Sequence, residues 1–223
     1  MSSVGSISVA LKNAVSGLQA TQSSLQTVSN NIANVNTEGY SRKIVELQTR
    51  AIDGTSAGVE VANVSRVVDE FLLTEIRTNL SSLGNFQELK NYFGRMQSMF
   101  GTLNDDASVS RTINGLLTAL EDLSITPEGL SQQLNVINQA SDFTRQINKM
   151  TQDLQDLRLR ADREISDSVT TINTQSAIVH SLNFNIARNL ASGQSTADLE
   201  DRRDIAVDKI AKEIGISTFK RST

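Results

Sequence analysis

The stretch that decides the fold is SISVALKNAVSGLQATQSSLQTVSNNIANV, residues 6–35. Its apolar stripe advances by alternating steps of four and three residues, which is typical of a coiled-coil seam. The stripe consists of Ile7, Leu11, Ala14, Leu18, Thr21, Leu25, Val28, Ile32 and Val35. Lys12 is the only charged side chain before residue 36, whereas a helix that buries one side normally carries charges on the other. We therefore predict an N-terminal arm, residues 1–40, that packs against further helices.

The predicted subunit interface of this arm is its stripe, with Ile7, Leu11, Ala14, Leu18, Leu25, Val28 and Ile32. An isolated helix of this length is only marginally stable in water, since its stability normally comes from tertiary packing. We expect the arm to be poorly ordered until neighbouring subunits supply apolar partners. The alternative is an ordinary helix whose stripe is buried within the same chain.

The amino-acid composition excludes several classes of function. The 223 residues leave room for one or two domains, and the formal charge of −4 does not favour a nucleic-acid partner. Cysteine is absent, which excludes disulfides, thiol catalysis and thiolate metal sites. No run approaches the roughly 18 apolar residues of a membrane span, so we predict no membrane insertion. The first nine residues lack the features of a classical signal peptide.

The pattern after the arm changes to alternation. Residues 43–52 and 58–66 alternate apolar and polar side chains around a glycine-containing loop, which predicts a β-hairpin and a segment 41–66. A lone hairpin is marginally stable, so it should lie against a helix.

Helical periodicity then returns and persists. We predict helices at about 67–101 and 108–124, linked through Asp105 and Asp106. A long helix should follow, with Thr126 as its N-cap and Pro127 at its first position. It contains neither proline nor glycine between residues 130 and 192, and some sixty residues make a helix of roughly 90 Å. Gly193 should end it.

A further amphipathic helix is predicted from residue 197, and a strand is predicted to begin at Ile214. The fold class is accordingly mainly α: an elongated bundle of long, coiled-coil-like helices with one hairpin and the heptad arm. Residues 67–212 would form the bundle, and residues 213–223 the start of an outer β domain.

Catalytic chemistry is weakly represented. His180 lies beside the apolar stripe of the long helix, without a cysteine or serine motif near it. The acidic cluster of Asp198, Glu200, Asp201 and Asp204 is interrupted by two arginines at 202 and 203, which favours an ion-paired helix start over a glycosidase pair or a cation site. There is no glycine-rich phosphate loop and no pair of zinc-binding histidines. We predict no enzyme, no cofactor and no metal.

The run NIANVNTEGY, residues 31–40, resembles the N-terminal signature of bacterial flagellar axial proteins. Glu38 stands where that signature usually has proline. The residues that carry the motif and the predicted hinge are Asn31, Asn34, Asn36, Thr37, Gly39 and Tyr40. The run LEDRRD, residues 199–204, is similar to a Leu-x-Asp-x-Arg-Asp run in the flagellar hook-associated family, whose members form the junction between hook and filament.

The resemblance implies a structural subunit that self-assembles into a ring or tube and contacts adjacent hook and junction subunits. It implies type III export, with an export chaperone as partner, to the extracellular flagellum. Family members are usually longer, with an outer β domain and a C-terminal heptad helix, so the chain resembles an N-terminal fragment. Two alternatives stay open: a coiled-coil chaperone or adaptor, and another axial subunit of the rod or hook.

Overall fold

A computed structural model describes residues 3–52, 55–101 and 108–219 of the chain. Over these residues it confirms a mainly α fold with one antiparallel hairpin. The elements are α1 (Ser3–Ala33), β1 (Lys43–Ile52), β2 (Thr55–Arg66), α2 (Glu70–Phe100), α3 (Val109–Ile125), α4 (Leu130–Ala191) and α5 (Ala197–Glu213). Within the described ranges, none of the helices combines the length and the apolar character needed to cross a bilayer.

The chain divides into two compact units. Unit 1 comprises Met1–Ser82 and Thr171–Thr223, and unit 2 comprises Leu83–Thr170. Unit 1 therefore contains α1, the hairpin, the start of α2, the end of α4, and α5. The predicted segment boundaries at residues 40, 66 and 212 remain predictions.

The hairpin was predicted correctly, although β2 begins three residues earlier than expected. Its register shifts twice, between Glu46 and Leu47 and between Thr49 and Ala51, and each shift leaves an extra residue on β2. Such bulges bend a strand and increase its twist. The predicted Asp53–Gly54 turn and the Asp105–Asp106 link lie outside the described residues.

α2 begins at Glu70 rather than at residue 67. The Val67 amide donates to the carbonyl of Arg42 at 2.8 Å and so continues the pairing of the hairpin. The carboxylate of Asp69 then accepts from the amides of Phe71 and Leu72, at 3.0 and 3.1 Å, and caps the helix.

The predicted start of the long helix at Thr126 and Pro127 is wrong. Thr126 is the C-cap of α3, with its amide bonded to the Asp122 carbonyl, and Pro127 lies in the turn that follows. Gly129 closes that turn by donating to the Thr126 carbonyl at 3.1 Å, and α4 starts at Leu130. The threonine–proline pair fits either the end of one helix or the start of the next, and the hydrogen bonds decide between them.

The end of α4 agrees with the sequence. Gly193 has φ of 67°, and the Gln194 amide donates back to the Asn189 carbonyl at 2.9 Å, which closes the helix in a glycine C-cap.

His180 is exposed on α4. The strand predicted from Ile214 is not formed: residues 215–219 have neither helix nor strand, and they meet no partner strand among the described residues.

The buried apolar side chains of the described residues are few and mostly small. Those of unit 1 are Ala20, Leu182, Ile186, Ala197, Ala206 and Ala211, and those of unit 2 are Ala119 and Leu157. Large seam residues of α2, such as Phe86 and Phe93, are exposed in the chain by itself.

Candidate assembly surface and hinge

α1 has two faces with opposite roles. All six large apolar residues of the predicted interface are exposed, with 52 to 70% of their surface accessible: Ile7, Leu11, Leu18, Leu25, Val28 and Ile32. Ala14, the seventh, is exposed as well. The stripe is therefore not buried within the described chain, as the alternative reading of the sequence required.

The opposite face of α1 packs on the hairpin through small and polar side chains. The hydroxyl of Ser16 accepts from the Val59 amide at 3.2 Å and donates to the Asn13 carbonyl at 2.8 Å. Gly58, with φ of 105°, lies so close that a Cβ there would be 2.1 Å from the Ser16 oxygen. Ala20 is buried. The sequence indicated that the hairpin needs a helix, but not that α1 supplies it with its polar side.

Asn31 fastens the end of α1 to the start of β1. Its amide oxygen accepts from the Tyr40 hydroxyl and from the Lys43 backbone amide, both at 2.9 Å. Its amide nitrogen donates to the Lys43 carbonyl, also at 2.9 Å. An asparagine amide carries one acceptor and two donors, so here it pairs with a strand residue as another strand would.

The residues between α1 and β1 form successive turns. The Asn34 side chain donates to the Asn30 carbonyl at 3.0 Å and accepts from the Thr37 hydroxyl at 3.2 Å. The Thr37 amide donates to the Asn34 carbonyl at 2.9 Å, and its own carbonyl accepts from the Tyr40 amide at 3.2 Å. Asn36 is exposed. Five of the six predicted hinge residues thus make contacts that shape the turn, Gly39 through its backbone.

Gly39 is one of the points where the hinge contacts α5. Its φ is 76°, in the left-handed region that favours glycine. A Cβ at this position would lie 2.3 Å from Cγ1 of Ile205. Both the backbone angle and the available space therefore require glycine.

The acidic side of α5 binds three cationic side chains from other elements of unit 1. We call this set the ionic lock; it comprises Lys43 of β1, Arg66 of β2 and Arg77 of α2 with Asp198, Glu200, Asp201, Asp204 and Asp208 of α5. Glu200 accepts from Arg66 Nε at 2.7 Å. Asp204 accepts from Arg66 Nη1 at 2.5 Å and from Arg77 Nη2 at 3.0 Å. Asp208 accepts from Arg77 Nε at 2.7 Å.

Asp201 is the central carboxylate of the ionic lock and is only 6% exposed. It accepts from the amide of Ser41 at 3.2 Å and from the hydroxyl of Ser41. It also accepts from Arg66 Nη1 at 3.3 Å and lies 3.5 Å from Lys43 Nζ. One carboxylate therefore joins the hinge, both strands and α5.

The sequence predicted an ion-paired start of α5, and the nearest cations in the sequence are the arginines at 202 and 203. The partners instead come from residues more than 120 positions away along the chain. Asp198, Asp201 and Asp204 are three residues apart and share one helix face, and that spacing could have indicated a shared binding surface. Lys43, Arg66 and Arg77 had no comparable signal in the sequence.

The ionic lock raises the pKa of its three cations. Burial alone would lower the pKa of Lys43, but its hydrogen bond to Asp198 and the charges of Asp198 and Asp201 outweigh burial, so the pKa is raised. The pKa of Arg66 is raised in the same way against burial, by Asp204, Glu200 and Asp201. All three cations therefore stay charged throughout the neutral range.

The ionic lock also places Lys43 over the ring of Tyr40, with Nζ 4.1 Å from the ring centroid. Such a cation–π contact adds roughly 0.5–2 kcal/mol, with the larger values where the cation is buried, as Lys43 is. Within the described ranges, no cluster of three or more histidine, cysteine or acidic side chains has the arrangement needed to hold a metal ion. The carboxylates of this site serve to bind cations of the chain itself.

Comparisons with known proteins agree with these features. Residues 93–223 match the family model of the flagellar hook-associated protein FlgK helical domain, and residues 11–40 match that of the flagella basal body rod protein. The second match covers most of α1 and the hinge, and the first includes the whole of α5. No solved structure matches the chain.

Curated relatives share the chain over most of its length. Flagellar hook-associated protein 1 of Salmonella typhimurium is 30% identical over 214 residues, which cover 92% of this chain and 38% of the relative. The proteins of the same name from Bacillus subtilis and Escherichia coli are 26% and 27% identical and are covered to 43% and 39%. The chain thus spans about two fifths of the length of these relatives. Because the helical-domain model matches more than half of the chain, the chain belongs to the flagellar hook-associated protein FlgK helical domain family.

Proposed function

We propose that the chain is a structural, non-catalytic subunit of the bacterial flagellum at the junction between hook and filament. The observation that carries the proposal is the exposed apolar stripe of α1, six large side chains in heptad spacing on a helix almost without charge. Each such side chain contributes about 1.5–3 kcal/mol when it is buried. The family membership supports the location.

Assembly would proceed by pairing the stripe with helices of neighbouring subunits in a ring or tube. Because the hairpin already holds one face of α1, the exposed apolar stripe is the face available for these contacts. Uncharged serine, asparagine and glutamine side chains at its edges can be buried at less cost than charges.

The remaining partners follow from the same proposal. The neighbouring subunits would be hook subunits on one side and junction subunits on the other. The chain would leave the cell by type III export, with an export chaperone as a partner. It would then be part of the extracellular flagellum. The relatives named flagellar hook-associated protein 1 support this assignment.

The test is the assembly of variants in the source bacterium. Leu18→Asp and Leu25→Asp place a carboxylate in the middle of the stripe. Gln19→Asp is the matched control, because residue 19 is exposed on α1 between its two faces. The subunit is measured in purified flagella by immunogold labelling and in the culture medium by immunoblot.

We expect the two stripe variants to be exported into the medium and to be missing from the flagella, since a buried uncompensated charge is costly. The control should assemble normally. Normal incorporation of Leu18→Asp and Leu25→Asp would overturn the proposed interface. Absence of both variants from the medium as well as from flagella would place the stripe in export instead of assembly.

A further inference from the structure

The ionic lock joins two parts of unit 1 that are otherwise held by few contacts. One part, the arm–hairpin module, comprises α1, the hinge and the two strands, and the other is α5 with the start of α2. Outside the lock, the contacts include Gly39 against Ile205 and the Ser195 hydroxyl donating to the Val64 carbonyl at 2.9 Å. The joint is therefore mainly ionic and polar.

The arm–hairpin module is held together by hydrogen bonds among its own residues. Asn31 bonds to Lys43 and Tyr40, Ser16 bonds to the bulge beside Gly58, and the two strands pair along their length. None of these contacts involves α5. Separation of α5 would therefore leave the module intact.

The charges of the ionic lock do not cancel. Across the joint, Lys43 and Arg66 of the module face four carboxylates of α5, which is an excess of two negative charges, whereas Arg77 belongs to the same part as α5. Opening the joint separates Lys43 and Arg66 from these carboxylates and exposes the buried Asp201 to water and counter-ions, which stabilise separated charges as the salt concentration rises.

We propose that the ionic lock is a reversible joint, from which the arm–hairpin module separates as one body when salt or a lost charge weakens the lock. In the closed state, Asp201 and Asp204 fix the direction of the module through Ser41, Lys43 and Arg66. In the open state, the module stays attached by the short connection between β2 and α2. This inference concerns the chain alone and does not rest on the proposed function.

The experiment is spin-label distance measurement on the whole chain, which has no native cysteine. Cysteines at Gln22 and Ser181, both exposed, report the separation of the module from α4. Cysteines at Gln22 and Thr49 report whether α1 stays on the hairpin. Each pair is measured at about 0.05 M and about 1 M NaCl, where the Debye length falls to roughly 3 Å.

Two variants weaken the lock directly, Asp201→Asn and Asp204→Asn. Asp156→Asn is the control, because it removes the same charge from an exposed position of α4 outside the lock. We expect each lock variant to raise the open fraction at the lower salt by about tenfold or more, as loss of a charge-assisted hydrogen bond predicts. The control should match the parent chain.

High salt should lengthen the 22–181 distance of the parent chain and leave the 22–49 distance unchanged. Equal 22–181 distances at both salt concentrations would overturn the proposal, and this holds even if a lock variant fails to fold. Lengthening of both distances would also overturn it, because the module would then be unfolding instead of separating as one body.

Discussion

Replacement of Gly39 by alanine tests the contact between the hinge and α5 most sharply. Two effects should lower the stability of this variant. The φ of residue 39, 76°, is disfavoured for an L-residue by about 1–2 kcal/mol. The added Cβ would lie 2.3 Å from Ile205 Cγ1 and 2.5 Å from Ile205 Cδ1, an overpacking that typically costs about 1–3 kcal/mol.

The two effects can be separated within the chain. Ile205→Ala removes both clashing atoms and leaves the Ile205 Cβ at 3.8 Å from the new Cβ, an ordinary contact. Gly193 has nearly the same φ, 67°, with no atom within 4 Å of a Cβ added there. Gly193→Ala should therefore show the backbone effect alone, about 1–2 kcal/mol.

The expected loss for Gly39→Ala is about 2–5 kcal/mol, the sum of both effects. The double variant Gly39→Ala/Ile205→Ala should lose about 1–3 kcal/mol less stability than the sum of the losses of the two single variants. This difference is the coupling energy between the two positions.

The assay is hydrogen exchange measured on peptides of the hinge and of α5, with peptides around Leu157 in unit 2 as the internal reference. A loss of 2 kcal/mol lowers protection roughly 30-fold, since 1.4 kcal/mol corresponds to a factor of ten. Equal effects of Gly39→Ala and Gly193→Ala, or a coupling energy near zero, would refute the close contact of Gly39 with Ile205.

Three further predictions concern unit 1. Asn31→Ala should destabilise the hinge by about 2–4 kcal/mol because three hydrogen bonds are lost, whereas Asn36→Ala, at an exposed position, should stay within about 0.5 kcal/mol in urea unfolding. Arg66→Met should cost about 3–5 kcal/mol, because Glu200, Asp201 and Asp204 lose the cation that they share. Arg145→Met breaks an exposed pair and should cost about 0–1 kcal/mol, and similar losses for the two variants would count against the ionic lock. The raised pKa of Lys43 means that its contribution is complete below its unfolded pKa and is lost as the pH rises through the folded value, so stability should fall above about pH 10, and Lys43→Met should abolish that part of the fall.

Much of the fold could be predicted because it depends on local patterns. The helices α1, α2, α3 and α4 and the hairpin follow from spacing along the chain, and Gly193 ends α4 as glycine at a helix end should. Where a pattern had two meanings, the prediction failed, as at Thr126 and Pro127. Those residues are compatible with either helix, and only the hydrogen bonds of Thr126 and Gly129 assign them.

For the same reason, the stripe and the hinge of the candidate site could be predicted from the sequence, whereas the ion pairs of the ionic lock could not. The stripe of α1 and the hinge motif occupy single stretches, and the structure shows the stripe exposed and five hinge residues in contacts that shape the turn. The ionic lock joins residues far apart in the chain. The acidic cluster was visible, but its nearest cations in the sequence were not its partners.

The sequence by itself determined the helices α1 to α5 and the hairpin to within a few residues, that α1 carries an apolar stripe almost without charge, and which family the hinge resembles. Each of these depends on side-chain order within a few turns of the chain. Only the tertiary structure decided that α1 packs its polar face on the hairpin, that Gly39 meets Ile205, and that Asp201 and Asp204 bind Arg66. The physical reason is that a charge or a small residue specifies no partner until folding brings distant segments within contact distance.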